Sequence, residues 1–136
     1  MNVDNRIMII DETLREGMQY RGVMFSLEQR IKILEFQEKL GVDVCQAGYP
    51  SAHTLEAKTV SDLCTFAKKN RMAIRVAAMG RATADDTDIL LRTGVKDLHF
   101  HAHIKKTDSE SEQQQILDAI AHTAGAARDR SPGSTI

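Results

Sequence analysis

Four times in succession the sequence runs an apolar stretch of strand length into polar residues, and then into a longer stretch with helical spacing. Strands are expected over residues 6–11, 42–47, 73–79 and 95–104, and helices over 26–40, 54–69, 83–93 and about 108–127. A chain patterned in this way has few folds open to it. Consecutive strands separated by covering helices must lie parallel, and their crossovers are right-handed. The helices carry their own punctuation. Ser26 with Gln29 three residues on reads as a capping box, and Gly41 as a stop; Asn70 closes the second helix, and Thr83 with Asp86 opens the third before Gly94 ends it. The apolar stripes are Leu27, Ile31, Ile33, Leu34, Phe36 and Leu40 in the first helix and Leu55, Val60, Leu63, Phe66 and Ala67 in the second.

The first strand is not followed by Gly-x-Gly-x-x-Gly, so a dinucleotide fold lacks its fingerprint. Polar residues gather instead after every strand, which is the habit of a barrel whose strand ends open into a site. The expected fold is α/β: parallel βα repeats, about four βα units, half of a TIM (β/α)8 barrel. A whole barrel takes ~200–250 residues or more, against 136 here. We expect one domain over residues 1–127, with 128–136 a disordered or truncated tail, since Arg128-Asp-Arg-Ser-Pro-Gly-Ser-Thr-Ile136 carries no strand pattern. A half-barrel leaves its first and fourth strands as unpaired edges. That implies a homo-oligomer or a complementing half-barrel.

Composition narrows the partners. Lys and Arg number 18 against 19 Asp and Glu, and aromatics are 4%, so neither a basic patch nor a stacking surface points to nucleic acid. No apolar run approaches the ~20 residues that cross a bilayer, and Met1-Asn-Val-Asp does not open a signal peptide. The expectation is a cytoplasmic protein without membrane contact. Cys45 and Cys64 lack zinc spacing and read as core thiols, with Cys45 facing the helix layer.

The candidate chemistry begins where the first strand ends, in Asp11-Glu12-Thr13-Leu14-Arg15-Glu16-Gly17-Met18-Gln19. A carboxylate at a barrel mouth binds a divalent cation through oxygen, and a neighbouring arginine steadies an enolate or carboxylate by paired hydrogen bonds. The alternative is a solvated loop ion pair. In His99-Phe-His-Ala-His103, alternation puts the three imidazoles on the lumenal face and Leu98, Phe100, Ala102 and Ile104 on the helix face. They would bind Zn²⁺ or a similar ion, or line the lumen with one histidine touching substrate or a shared metal; alternate residues of a strand lie ~6.5–7 Å apart, so ligation by all three would strain. Arg81 either binds a carboxylate at the third strand's mouth or pairs with Asp85 or Asp86.

The nine-residue stretch from Asp11 to Gln19 resembles the Asp-x-Thr-Leu-Arg-(Asp/Glu)-Gly-x-Gln signature of the metal-dependent acyl-transfer and lyase barrels, which include 2-isopropylmalate synthase, homocitrate synthase, hydroxymethylglutaryl-CoA lyase and the pyruvate carboxyltransferase domains. Gly41-Val-Asp-Val-Cys-Gln-Ala-Gly-Tyr-Pro50 resembles their second-strand segment, and Ala78-Met-Gly-Arg-Ala-Thr83 their third, so the likeness covers about residues 5–105. It implies a divalent cation (Mg, Mn or Zn), a 2-oxo acid and an acyl-CoA such as acetyl-CoA. Carried over by position, Glu16 resembles the metal-binding carboxylate, Arg15 the enolate-steadying arginine, and Gln19 a polar neighbour of the substrate. Gln46 stands where the family usually has a glutamate concerned with acid/base chemistry, and an amide exchanges no proton at useful pH. The catalytic candidates are therefore Arg15 and Gln46. Gln19, Arg81, His99 and His101 are candidates for substrate contact, and Glu16 and His103 for metal. The family's His-x-His metal pair belongs to a late strand, and the pair here, in the fourth, is not equated with it. Asp11 and Glu12 are assigned to the scaffold. A non-catalytic remnant, or an interaction module that needs a partner to complete the barrel, is the alternative function.

Overall fold

The computed structural model describes residues 7–131, 133, 135 and 136. Four parallel strands form one sheet in the order β1-β2-β3-β4, with β1 at Ile10–Asp11, β2 at Val44–Gln46, β3 at Arg75–Arg81 and β4 at Asp97–His101. Sequential neighbours, all parallel and each joined through a helix, are what the alternating pattern demands, and the half-barrel reading holds. The helices in chain order are α1 (Thr13–Glu16), α2 (Leu27–Leu40), α3 (Thr54–Lys69), α4 (Ala84–Thr93) and α5 (Glu110–Arg130).

Local chemistry sets these boundaries. The Ser26 hydroxyl accepts from the Gln29 amide at 3.2 Å, while the Gln29 side chain accepts from the Ser26 amide at 2.8 Å, so two N–H groups at the start of α2 are satisfied at once. Gly41 ends that helix at φ 78°, a left-handed conformation that suits a residue without Cβ. Ser109 and Glu112 make a second capping box at the start of α5, a pair not singled out in the sequence.

The helices cover one face of the sheet. Cys45, Val76, Ala78 and Leu98 pack with Leu34, Leu63 and Leu90 in one cluster on the helix side. Cys45 thus faces the helices as expected, and burial pushes its thiol up to about 12, too high for a nucleophile. On the opposite face, alternation sets Val44 and Gln46 of β2 beside Arg75, Ala77, Met79 and Arg81 of β3, and Asp97, His99 and His101 of β4. Asp97, 2% exposed, meets Arg75 Nε at 3.2 Å at the N-terminal end of this face.

Several expectations need correction. The first strand pairs only at Ile10–Asp11, and Ile7 to Ile9 precede it without strand geometry; Arg6 lies outside the described residues. The expected loop after it is helical, with α1 followed by a 3-10 turn at Gly17–Gln19. The fourth strand stops at His101, so His103 is not on a strand. In α2, Phe36 and Leu40 are exposed at 61% and 79%, while Arg30 and Gln37 are buried beside Leu34. Those two polar side chains sit on the sheet-facing side because each has a partner there: Glu56 for Arg30 and Asp11 for Gln37. Leu55 of α3 is also exposed, at 65%. Finally, α5 continues to Arg130, past the expected end near residue 127, and Thr135 forms a parallel bridge with Asp97. The Leu98 amide donates to the Thr135 carbonyl at 2.8 Å, and the Thr135 amide to the Lys96 carbonyl at 2.8 Å. Thr135 thus sits against the outer edge of β4.

Candidate active site

Parallel register brings the strand C-termini to one end of the molecule, and Arg15, Gln46 and His99 meet there. Arg15 is placed by α1, which starts directly after β1; the Asp11 carboxylate accepts from the Thr13 amide at 2.8 Å and fixes that turn. The Arg15 side chain is 9% exposed. Its Nε–H donates to the Gln46 side-chain oxygen, one terminal nitrogen donates to Glu16, and the other donates to Glu12 at 2.8 Å. Three of its five N–H groups are thus held within the chain, and two have no partner among the described residues. Gln46, 3% exposed, donates in turn from Nε2 to His99 Nδ1. Burial lowers the pKa of His99; Asp97 and Glu12 oppose that shift and Arg15 and Arg75 add to it. His99 is therefore neutral at pH 7.

A second cluster lies at the mouth of β3. Asp86, 0% exposed, accepts from the Arg81 backbone amide at 2.8 Å, from Arg81 Nη2 at 2.8 Å and from the Tyr49 hydroxyl at 3.2 Å. Burial raises the Asp86 carboxyl, but the Arg81 side-chain and backbone donors outweigh it and hold the group at about 2. Arg81 pairs with Asp86 and not with Asp85. His101 stacks edge-on against Tyr49 with ring centroids 5.8 Å apart.

Beneath the second-strand mouth, Arg30 makes a two-pronged pair with Glu56 at 3.1 and 2.8 Å, and also donates to the Ala47 carbonyl at 3.4 Å. A Cβ at Gly48 would come within 2.1 Å of a Glu56 carboxylate oxygen, so a side chain here has to displace Glu56 from the pair.

The remaining candidates disperse. Glu16 and Gln19 line a shallow surface cleft with Glu12, Thr13 and Tyr20. His103 lines a different one, between Arg81, His101 and the α5 residues Ile116 and Ile120. Glu16 and His103 therefore do not share a cleft. Among the described residues no three His, Cys, Asp or Glu side chains converge as a metal site would require. Sequence reasoning missed the roles of Tyr49 and of the Arg30–Glu56 pair. Arg30 had a signal, since it falls at i−4 and i−7 from Leu34 and Gln37 on one helix face; Tyr49 was read only as part of the second-strand segment.

The HMGL-like family model matches residues 6–131, nearly the whole chain. The chain belongs to the HMGL-like family. Among curated relatives, the 2-isopropylmalate synthase of Methanocaldococcus jannaschii is 31% identical over 130 residues, which cover 90% of this chain and 24% of the relative. The 2-isopropylmalate synthase 1 of Caldanaerobacter subterraneus is 37% identical over 83 residues, 61% of this chain and 20% of that one. The homocitrate synthase of Saccharolobus islandicus is 29% identical over 133 residues, 91% and 28%. This HMGL-like chain thus spans about a quarter of the length of the curated relatives it matches, as in the 24% and 28% just given. No described helix is long and apolar enough to cross a membrane.

Proposed function

We propose that this HMGL-like chain supplies part of the active-site ring of a carbon–carbon bond-forming or bond-breaking enzyme, acting on a 2-oxo acid and an acyl-CoA such as acetyl-CoA in the manner of 2-isopropylmalate and homocitrate synthases. One observation carries the reading: Arg15 is buried at a strand mouth, braced by Glu12, Glu16 and Gln46, with two N–H groups left for an oxyanion. A guanidinium held on three sides is already in position when negative charge develops on an enolate oxygen, and its reorganisation costs little. Arg15 steadies the enolate, Gln46 orients its neighbours, and Gln19, Arg81, His99 and His101 contribute contacts to substrate.

The family likeness implies a divalent cation, which would polarise the 2-oxo acid when bound. Glu16 is the carboxylate this chain offers it, and the described residues do not complete a ligand set. The isolated chain is therefore expected to bind Mg²⁺ or Mn²⁺ weakly and to lack condensation activity, with a second copy or a complementing half-barrel needed for turnover in the cytoplasm. Calorimetric titration with Mn²⁺ tests this. Weak binding lost in Glu16→Ala is expected, and binding that survives both Glu16→Ala and His103→Ala would refute the assignment.

A second reading has support of its own. Gln46 replaces an ionisable carboxylate, so a non-catalytic remnant or an interaction module fits the amide equally well. A condensation assay of acetyl-CoA with a panel of 2-oxo acids, run on the chain with and without a complementing half-barrel, separates the two. Activity in any combination would exclude the remnant.

A further inference from the structure

Arginine carries only hydrogen-bond donors, and a glutamine amide carries one acceptor oxygen and one NH2. Contact with Arg15 Nε–H therefore decides which way the Gln46 amide points. Its oxygen faces Arg15 and its nitrogen faces His99. The reversed amide would set NH2 against the guanidinium N–H, so that rotamer is excluded. An amide NH2 has no lone pair to give, so the His99 Nδ1 that meets it must be the bare nitrogen. The ring hydrogen then sits on Nε2. Among the described residues, nothing hydrogen-bonds that Nε2, and the half-buried ring lies at the strand mouth beside the Arg15 cluster.

We propose that Gln46 is a positioning residue that locks His99 in its Nε2–H tautomer, so that His99 offers a hydrogen bond to an acceptor oxygen of a bound 2-oxo acid and offers no lone pair to a metal or a proton. The identity of the ligand rests on the function proposed above; the tautomer does not. The same geometry makes the reverse state a single substitution away. In Gln46→Glu a carboxylate would accept from Arg15 and from His99 together, which draws the ring hydrogen to Nδ1 and turns the bare nitrogen toward the mouth. Glutamine at this position therefore converts the ring from an acceptor into a donor, without touching the ligand itself.

The test is a long-range ¹⁵N–¹H correlation spectrum of the full chain above the titration range of histidine, with His99→Asn to assign the ring. The expected spectrum has His99 protonated at Nε2 and bare at Nδ1. In Gln46→Glu the two nitrogens exchange character, and in Gln46→Met the ring relaxes to a mixture. A wild-type ring protonated at Nδ1, or a mixture equal to that of Gln46→Met, would overturn the lock, and neither reading needs Gln46→Glu to fold. Excess pyruvate is then added. A shift at Nε2 supports the donor role. A locked ring that ignores pyruvate overturns the donor role toward a 2-oxo acid, while the tautomer assignment stands.

Discussion

Asp86 shows how one buried carboxylate settles its neighbours. Its oxygens accept from the Arg81 backbone and side chain and from the Tyr49 hydroxyl, and these bonds tie the end of β3, the start of α4 and the turn after β2 together. Because its folded pKa lies at about 2, below the ordinary carboxylate value, the group stabilises the fold above about pH 4, and that contribution is lost as pH falls through about 2. Arg81 is 61% exposed and its attraction is screened, so the contribution is about 1–2 kcal/mol. Urea denaturation from pH 6 down to pH 2 should therefore show a falling midpoint in the wild-type chain and a flatter profile in Asp86→Asn; equal slopes would contradict the assignment. At this scale the sequence was partly legible. Arg15 and Gln46 were singled out by their places in the family-like stretches, and His99 by alternation along its strand. Their meeting was not legible, since it depends on register passing from Gln46 to Ala77 and from Ala77 to Asp97 across two ladders. Nor was the end of β4 before His103, because alternation of histidine with apolar residues continues past the point where pairing ceases.

Among the elements, the helix ends were the most legible parts, because caps are local chemistry. Ser26, Thr83, Gly41 and Gly94 all stand where the sequence put them. Interior faces were less so. The burial of Arg30 on the face with Leu34 depends on Glu56 two elements away, and no window of sequence contains that partner. The Arg30–Glu56 pair and the α5 cap give one prediction each. Gly48→Ala should push Glu56 off Arg30, which leaves a buried guanidinium uncompensated, and should lower stability by about 3 kcal/mol in urea denaturation; a loss below about 0.5 kcal/mol, the usual range of a neutral surface change, would show that the pair moves aside freely. Ser109→Ala removes the capping hydroxyl that Glu112 shares and should cost about 1 kcal/mol. Hydrogen exchange should place that loss in the first turn of α5; loss spread over the whole sheet would contradict a local role.

The molecule as a whole has unequal edges. At β4 the chain covers the outer ladder with Thr135, whose backbone bonds occupy Lys96 and Leu98. At β1 nothing comparable is present among the described residues, and Ile7, Met8, Ile9 and Ile10 are exposed at 83%, 52%, 51% and 42%, with Tyr20 and Met24 exposed nearby in sequence at 78% and 80%. An exposed apolar segment beside an uncovered strand edge is a template for pairing. Sedimentation should therefore show association that rises with concentration and weakens in Ile7→Lys/Ile9→Lys, whereas a monodisperse monomer at all concentrations would contradict it. The fold class was fully legible at this scale, because alternation of strand and helix leaves parallel pairing as the only economical topology. The bridge at Thr135 was not, because a single bridge residue makes no periodic pattern.

In the proposed function the Arg15–Gln46–His99 mouth receives a 2-oxo acid. The most direct measurement is a titration of the ¹⁵N-labelled chain with pyruvate in the presence of Mg²⁺, read at the Arg15 Nε–H and the Gln46 side-chain NH2. Saturable shifts at both groups that disappear in Arg15→Ala are expected. Shifts confined to other residues, or none at either group, would contradict it.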